Sequence, residues 1–279
     1  MNTPSISVCM ISGAEAIRIG RALASVVDWT TERLIVLNDN VADGTEAIAQ
    51  RYAAKVFREP WKGHIAQKNS VAGKAAGEWL LGLDADEAVS PELKTEILAT
   101  LADPARHQGS AAFSFPRLSR CCGRWIRHGD WYPDRKTRLW RRGQAHWGGV
   151  DPHDKLVVNG KTGKLQGNLL HYPSDTIDSL VLKIIPFSDG FVRQHPGGGP
   201  PGWFGLVARP AWRFVRAYFL RLGFLDGWPG YYIAWIHAFG TMVRYAKLRE
   251  ARLAHPSTQH PATSTDAESD SARAGGAPR

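Results

Sequence analysis

Cysteine is scarce in this chain. Cys9, Cys121 and Cys122 are the only three, two of them adjacent, and no CxxC spacing occurs. That excludes a disulfide framework and a cysteine-built zinc site. Long apolar runs are missing too: the apolar stretch from Tyr231 to Val243 contains His237 and is too short to span a bilayer. Met1 to Ile11 has neither the basic start nor the cleavable apolar run of a secretory signal, so a cytoplasmic location is expected. Acidic residues are in deficit, 26 against 35 Lys and Arg, for a formal charge of +9. Such a surplus suits a polyanionic partner: nucleic acid, an anionic membrane surface or a phosphorylated substrate. What is present, 43% hydrophobic and 22% charged residues, excludes a wholly disordered chain. At 279 residues there is room for one large domain with an appendage.

The order of apolar segments carries the fold. Ser5 to Ile11 reads as a buried strand, and Ile19, Ala22, Leu23, Val26 and Val27 follow at helical spacing. Leu34 to Leu37 is the next strand, Asp43-Gly44-Thr45 turns into a helix through Tyr52, and Lys55 to Phe57 is a short strand. A helix over His64 to Ala76 and a strand over Trp79 to Leu83 come next. Ser90-Pro91-Glu92 then caps a helix carrying Leu93, Ile97, Leu98 and Leu101. This βαβ series predicts an α/β fold, a mostly parallel sheet with helices on both faces, and ligands at the carboxyl ends of the strands. After about residue 110 the pattern becomes strand-like and turn-rich. Residues 174–254 read as helical, broken by a linker at Pro196 to Pro201, and 255–279 as a disordered tail rich in Ser, Thr, Ala, Gly and Pro. The catalytic part is therefore expected over 1–173.

The most informative motif is Asp84-Ala85-Asp86-Glu87, directly behind an apolar strand. Two carboxylates at i and i+2 on a strand end can reach one divalent cation, or a ribose hydroxyl and a cation respectively. By itself the motif also fits a solvated acidic turn. Its surroundings resemble glycosyltransferase family 2: Ile11-Ser12-Gly13-Ala14-Glu15 at the first turn, Leu37-Asn38-Asp39-Asn40-Val41-Ala42-Asp43-Gly44-Thr45 at the second strand, then the DxD. A narrower likeness, to the bacterial lipopolysaccharide core β-1,4-glucosyltransferase-like branch, spans most of the chain. It is carried by Pro60-Trp61-Lys62-Gly63, Gln67-Lys68-Asn69, the segment Gly123 to Asp134, Arg138 to Gly143, His153-Asp154 and Leu169-Leu170-His171-Tyr172. The branch usually has His-Glu where His153-Asp154 stands.

The resemblance implies a GT-A (Rossmann-like) fold, a nucleotide-sugar donor, a lipid-linked saccharide acceptor and inverting transfer. Such chemistry needs positive charge on the leaving diphosphate and a carboxylate to take the acceptor proton. Glu15, Asn38, Asp39, Lys68, Asp84 and Arg138 are then expected at the donor, with Asp84 on ribose or metal. Asp86 is the leading ligand for a divalent metal, Mg2+ or Mn2+, and His171 completes its shell. Asp154 is favoured as general base over Asp134, whose alternative is an ion pair with a nearby arginine. Trp131 and Tyr132 resemble a sugar-stacking platform for the acceptor.

Between Trp203 and Arg249 seven basic residues face Asp226 alone, interleaved with aromatics. Arg209, Arg213, Arg216 and Arg221 among Trp203, Phe204, Trp212, Phe214 and Phe219 predict a basic amphipathic helix lying on an anionic membrane surface at the cytoplasmic face. No nucleic-acid recognition module accompanies the charge, so nucleic acid is not expected as a partner. Two readings compete with transfer: a nucleotidyltransferase, for which Ser12-Gly13-Ala14-Glu15 lacks the glycine-rich, lysine-bearing phosphate loop, and a non-catalytic basic binding protein on the same scaffold.

Overall fold

In the first ninety residues short apolar runs alternate with amphipathic ones, and the chain folds accordingly. The computed structural model describes residues 4–150, 153–173, 176–197 and 200–254. Its elements run β1 (Ile6–Ser12), α1 (Ile19–Ala24), β2 (Glu32–Asn38), α2 (Thr45–Arg51), β3 (Lys55–Glu59), α3 (His64–Gly73), β4 (Trp79–Gly82), β5 (Glu87–Val89) and α4 (Pro91–Ala102). A short α5 (Pro104–His107) leads into β6 (Ser110–Cys121), β7 (Arg124–Trp125), β8 (Asp134–Arg141), β9 (Ala145–Val150), β10 (His153–Val158), β11 (Lys161–Lys164) and β12 (Leu169–His171). Then come α6 (Ile177–Gln194), α7 (Trp203–Val215) and α8 (Gly227–Ala254), the last two joined by a π turn and a 3-10 turn. The tail expected over 255–279 lies outside the described residues.

The main sheet has the order β3-β2-β1-β4-β8-β6-β12-β5. β3, β2, β1 and β4 are parallel, as helical crossovers require. β8 is antiparallel to both β4 and β6, and β5 runs against β12, while β12 and β6 are parallel. The sheet is therefore mostly parallel. Successive side chains of a strand point to opposite faces, so an unbroken apolar strand needs cover on both. Ile6, Val8 and Met10 of β1 share a core with Leu23 of α1, Ala49 of α2 and Ile97 of α4. Cys9 points the other way, into a core with Val71 of α3, Trp140 and Trp147. The expected cap on α4 is present, Ser90 Oγ accepting from the Leu93 amide at 3.2 Å with Pro91 in the first turn.

Two buried carboxylates pin the helices to the loop between β7 and β8. Asp130, whose side chain is 3% exposed, receives Arg213 at 2.9 Å, Arg216 at 3.0 Å and Arg221 at 3.0 Å. Asp226 accepts from the Arg127 and His128 amides at 3.0 and 2.8 Å and meets the His128 ring at 3.1 Å. At the turn into α8 the backbones touch closely: a Cβ on Gly230 would lie 1.9 Å from the Gly223 carbonyl oxygen, so only glycine fits there.

Three of the arginines placed on a lipid surface by the sequence reading, Arg213, Arg216 and Arg221, thus turn to one carboxylate, with Arg221 still half exposed. A carboxylate removed from water needs cations, and Asp130 takes three of them. Arg209 lies over the Tyr245 ring at 4.4 Å. The helices also leave large apolar side chains to solvent: Trp203 is 77% and Phe204 84% exposed, and Trp212, Phe219, Trp228 and Trp235 are also exposed. Among the described residues no helix is long and apolar enough to cross a membrane. Asp130→Ala is expected to destabilise the protein by about 2 kcal/mol, less than a fully buried pair because the guanidiniums remain partly hydrated. Thermal melting and faster proteolytic clipping within 177–254 would report it; an unchanged melting curve would contradict this role for Asp130.

Candidate active site

Because β1, β2 and β4 are parallel, their carboxyl ends open on one side of the sheet, where the chain leaving each strand meets the others. They form a cleft of about 800 Å3. Glu15 follows β1, Asn38 and Asp39 end β2, Asp84 and Asp86 follow β4, Lys68 enters from α3 and Asp154 from β10. The structure thus gathers in one wall seven of the residues expected to serve donor, metal and base.

Their charges are interlocked. Arg18 holds Glu15 through two contacts of 2.6 Å, and Gln67 donates to the Asn38 side chain at 3.5 Å. Lys68 bridges Asp84 at 3.2 Å and Asp154 at 2.9 Å, with Trp147 beneath it at 4.5 Å. Arg138, expected at the donor phosphates, instead reaches Asp84 at 2.5 Å and Glu87 at 3.6 Å from a buried position. Burial by itself would raise the Asp84 carboxyl, but 31% of that side chain opens to the cleft. Arg138 and Lys68 outweigh burial and hold it well below the usual carboxylate range. Burial would likewise lower the Arg138 guanidinium, and Asp84 and Glu87 push it up.

Asp86 faces away from this knot, toward His171. β12 pairs with β5 so that His171 stands opposite Glu87, and the Tyr172 amide donates to the Asp86 carbonyl at 2.8 Å. His171 Nε2 lies 3.4 Å from Asp86 Oδ2, while its Nδ1 shares a 2.9 Å hydrogen bond with Ser119 Oγ. When Nδ1 carries the proton, Nε2 presents a lone pair beside a carboxylate, a pairing used at metal centres. Among the described residues no three His, Cys, Asp or Glu side chains assemble as a ready metal cage. Asp86 and His171 offer one carboxylate oxygen and one imidazole nitrogen, a partial set that would leave the other positions of a divalent cation to substrate oxygens.

The remaining expected residues lie on the far side of His171. Asp134 is bound by Arg117 at 2.8 Å and Lys136 at 3.1 Å. Burial would raise its carboxyl, but those two cations bring it below its ordinary value. Trp131 donates its ring N–H to His237 at 3.0 Å, and Tyr132 donates its hydroxyl to Asn168 at 3.1 Å. Asp134, Trp131 and His171 line a second cavity of about 420 Å3, between the sheet and helices α6 and α8. The sequence reading assigned no role to Arg117, Ser119, Glu87 or Trp147. Only Glu87, inside DxDE, carried a local signal; the others become meaningful through pairing across strands.

Residues 7–156 match the model of glycosyl transferase family 2. A glycosyltransferase of Rickettsia felis, itself uncharacterized, is 32% identical over 262 residues, covering 88% of this chain and 90% of the relative. The chain is a glycosyltransferase with an α/β fold of the GT-A kind. It belongs to glycosyl transferase family 2. The lipopolysaccharide core biosynthesis glycosyltransferase LpsC of Rhizobium meliloti is 25% identical over 228 residues, covering 76% of this chain and 83% of LpsC. Of the solved structures, S. aureus TarS aligns with a TM-score of 0.48 at 15% identity; the alignment covers 88% of this chain and 55% of TarS.

Proposed function

We propose that the protein transfers a sugar from a nucleotide-sugar donor, with inversion, to a lipid-linked saccharide at the cytoplasmic face of the membrane, in lipopolysaccharide core or related glycan assembly. The observation that carries this reading is the cleft at the strand ends. It holds five carboxylates, Glu15, Asp39, Asp84, Asp86 and Asp154, with Lys68 as its one lining lysine. A diphosphate would be repelled from such a wall unless it arrived with a cation. Asp86 and His171 would hold that cation, which supplies positive charge to the leaving diphosphate. Asn38 and Asp39 offer polar groups to the nucleobase, and Asp84, fixed by Arg138 and Lys68, presents a carboxylate oriented for ribose. The likeness to LpsC favours the glycan class.

Asp154 is the proposed base, since of the two candidates it alone lines the donor cleft. Asp154→Asn is expected to preserve donor binding and lower turnover by about a hundredfold or more, the range for positioned proton transfer. Asp134 is the second reading, favoured by its place in the wall of the cavity behind His171. Should Asp134→Asn show that kinetic pattern and Asp154→Asn not, the assignment is reversed. The function itself is tested with a panel of nucleotide sugars and membrane glycolipid acceptors. Divalent-cation-dependent release of nucleoside diphosphate with a new glycosidic linkage supports it, and release of pyrophosphate instead contradicts it.

The membrane part of the reading rests on the exposed aromatic face of the helices. Because Arg213, Arg216 and Arg221 are spent on Asp130, attachment is expected to come from apolar insertion rather than charge. Liposome binding should persist at high salt and fall when Trp203, Phe204 and Trp212 become Ser. Cosedimentation that is abolished by salt would contradict this.

A further inference from the structure

The second cavity has a chemistry of its own. Helices α6 and α8 give it apolar walls, Leu180, Ile184, Phe187 and Ile236, and its inner end reaches His171. Arg117 and Arg244 also line it, against Asp130 and Asp134. Neither acid is left over for Arg244. Asp130 already receives Arg213, Arg216 and Arg221, with Arg216 donating to both its oxygens. Asp134 is shared between Arg117 and Lys136. Arg244 donates from Nε to the Gly240 carbonyl of its own helix at 3.3 Å, and no carboxylate among the described residues is within ion-pair distance of it.

Positive charge is therefore in surplus at this wall, and its neighbours feel it. Burial lowers the Arg213 guanidinium, Asp130 opposes the fall, and Arg216, Arg244 and Arg221 add to it. Burial also pushes the His237 imidazole down to about 4, helped by Arg213. A half-buried guanidinium such as that of Arg244, with no carboxylate beside it, is costly unless an anion joins it, and phosphate matches its fork geometry. A volume of a few hundred Å3 with apolar walls suits part of an alkyl or acyl chain.

We infer that this cavity is the acceptor site and takes a phosphate-bearing amphiphile, its anionic group on Arg244 and its chain between α6 and α8, so that the saccharide it carries arrives at His171. The binding claim concerns the cavity alone; calling its occupant the sugar acceptor rests on the function proposed above. The occupant is distinguished from free phosphate and from a neutral detergent by its two halves together.

The test uses the full chain with dodecyl phosphate below its micellar concentration, inorganic phosphate and dodecyl maltoside, each titrated calorimetrically. Dodecyl phosphate is expected to bind one per chain, at least about tenfold more tightly than either control, since each probe lacks one of the two contacts. Arg244→Gln is expected to weaken dodecyl phosphate about tenfold. Phe187→Ser, at a position 54% exposed, should weaken it too. Dodecyl maltoside or inorganic phosphate binding as well as dodecyl phosphate would overturn the inference, as would indifference to both substitutions. Nucleoside diphosphate release without amphiphile binding sinks this inference and leaves transfer standing. Saturable amphiphile binding with no turnover of any nucleotide sugar does the reverse.

Discussion

Asp86→Ala is expected to lower sugar transfer by about a thousandfold or more, the largest loss of any single substitution in the cleft. The expectation follows from what surrounds the residue. Asp84 is taken up by Arg138 and Lys68, Glu15 by Arg18 and Asp154 by Lys68. Asp86 is the DxD carboxylate with no Lys or Arg partner among the described residues; it faces the His171 ring. Removing it leaves an imidazole as the sole protein group at the cation site, and a cation on a leaving group contributes several kcal/mol, each 1.36 kcal/mol being about tenfold in rate. Two measurements should move together. Turnover at saturating donor falls, and Mn2+-dependent binding of nucleoside diphosphate, read by calorimetry without any acceptor, weakens. His171→Ala should weaken the same binding to a lesser degree, since the carboxylate remains. Near-normal turnover in the Asp86 variant would remove that residue from the chemistry.

Arg138→Met is expected to destabilise the protein by about 3–5 kcal/mol, the cost of stripping one partner from a buried ionic group. Glu87 has 0% side-chain exposure and, once Arg138 is gone, keeps Arg117 at 3.5 Å and the Asp84 amide at 3.1 Å. Asp84 loses its shortest contact and keeps Lys68. The pH dependence has a definite sign. A carboxyl held below its unfolded value of about 3.9 contributes stability above that pH and loses it as pH falls through the folded value. Arg138 is the first opponent of burial at Asp84, so the wild type carries this contribution at neutral pH and the variant has lost most of it. The stability difference should thus be widest near neutrality and narrow on acidification, as the Asp84 carboxyl becomes neutral in the variant. Denaturant melts at neutral and acidic pH measure it. A gap under about 1 kcal/mol at neutral pH would show that Asp84 and Glu87 do not depend on Arg138.

Those two residues also mark what the sequence could and could not say. The parallel half of the sheet was legible because burial on both faces writes itself as short unbroken apolar runs such as Ile6 to Met10 and Leu34 to Leu37. Asp84 and Asp86 were legible through their surroundings, since an acidic pair behind such a run by itself also fits a solvated turn. Arg138 was legible as a motif member but not as the partner of Asp84, since the antiparallel insertion of β8 beside β4 leaves no trace in local periodicity. Arg213, Arg216 and Arg221 were misplaced for a related reason. A basic stripe among aromatics looks the same whether lipid or one buried aspartate faces it, and Asp130 is far away in sequence. The cavity behind His171 was illegible because its walls come from β6, β8, α6 and α8 together.

The pairing of β5 with β12 has a bearing on how the chain acquires its activity as it is made. The strand just after the DxD is held by a strand separated from it by β6 through β11. Domains form from the N-terminal end while synthesis continues, so the parallel βαβ half can assemble long before β12 has left the ribosome. During that interval Asp86 lacks both His171 and the amide of Tyr172 that anchors its carbonyl. A nascent chain stalled ahead of Leu169 would hold the parallel strands but not the pair of Asp86 and His171 proposed to hold the cation. Under the proposed function, competence for the donor thus arrives as a late, abrupt step, close to when the C-terminal helices begin to emerge.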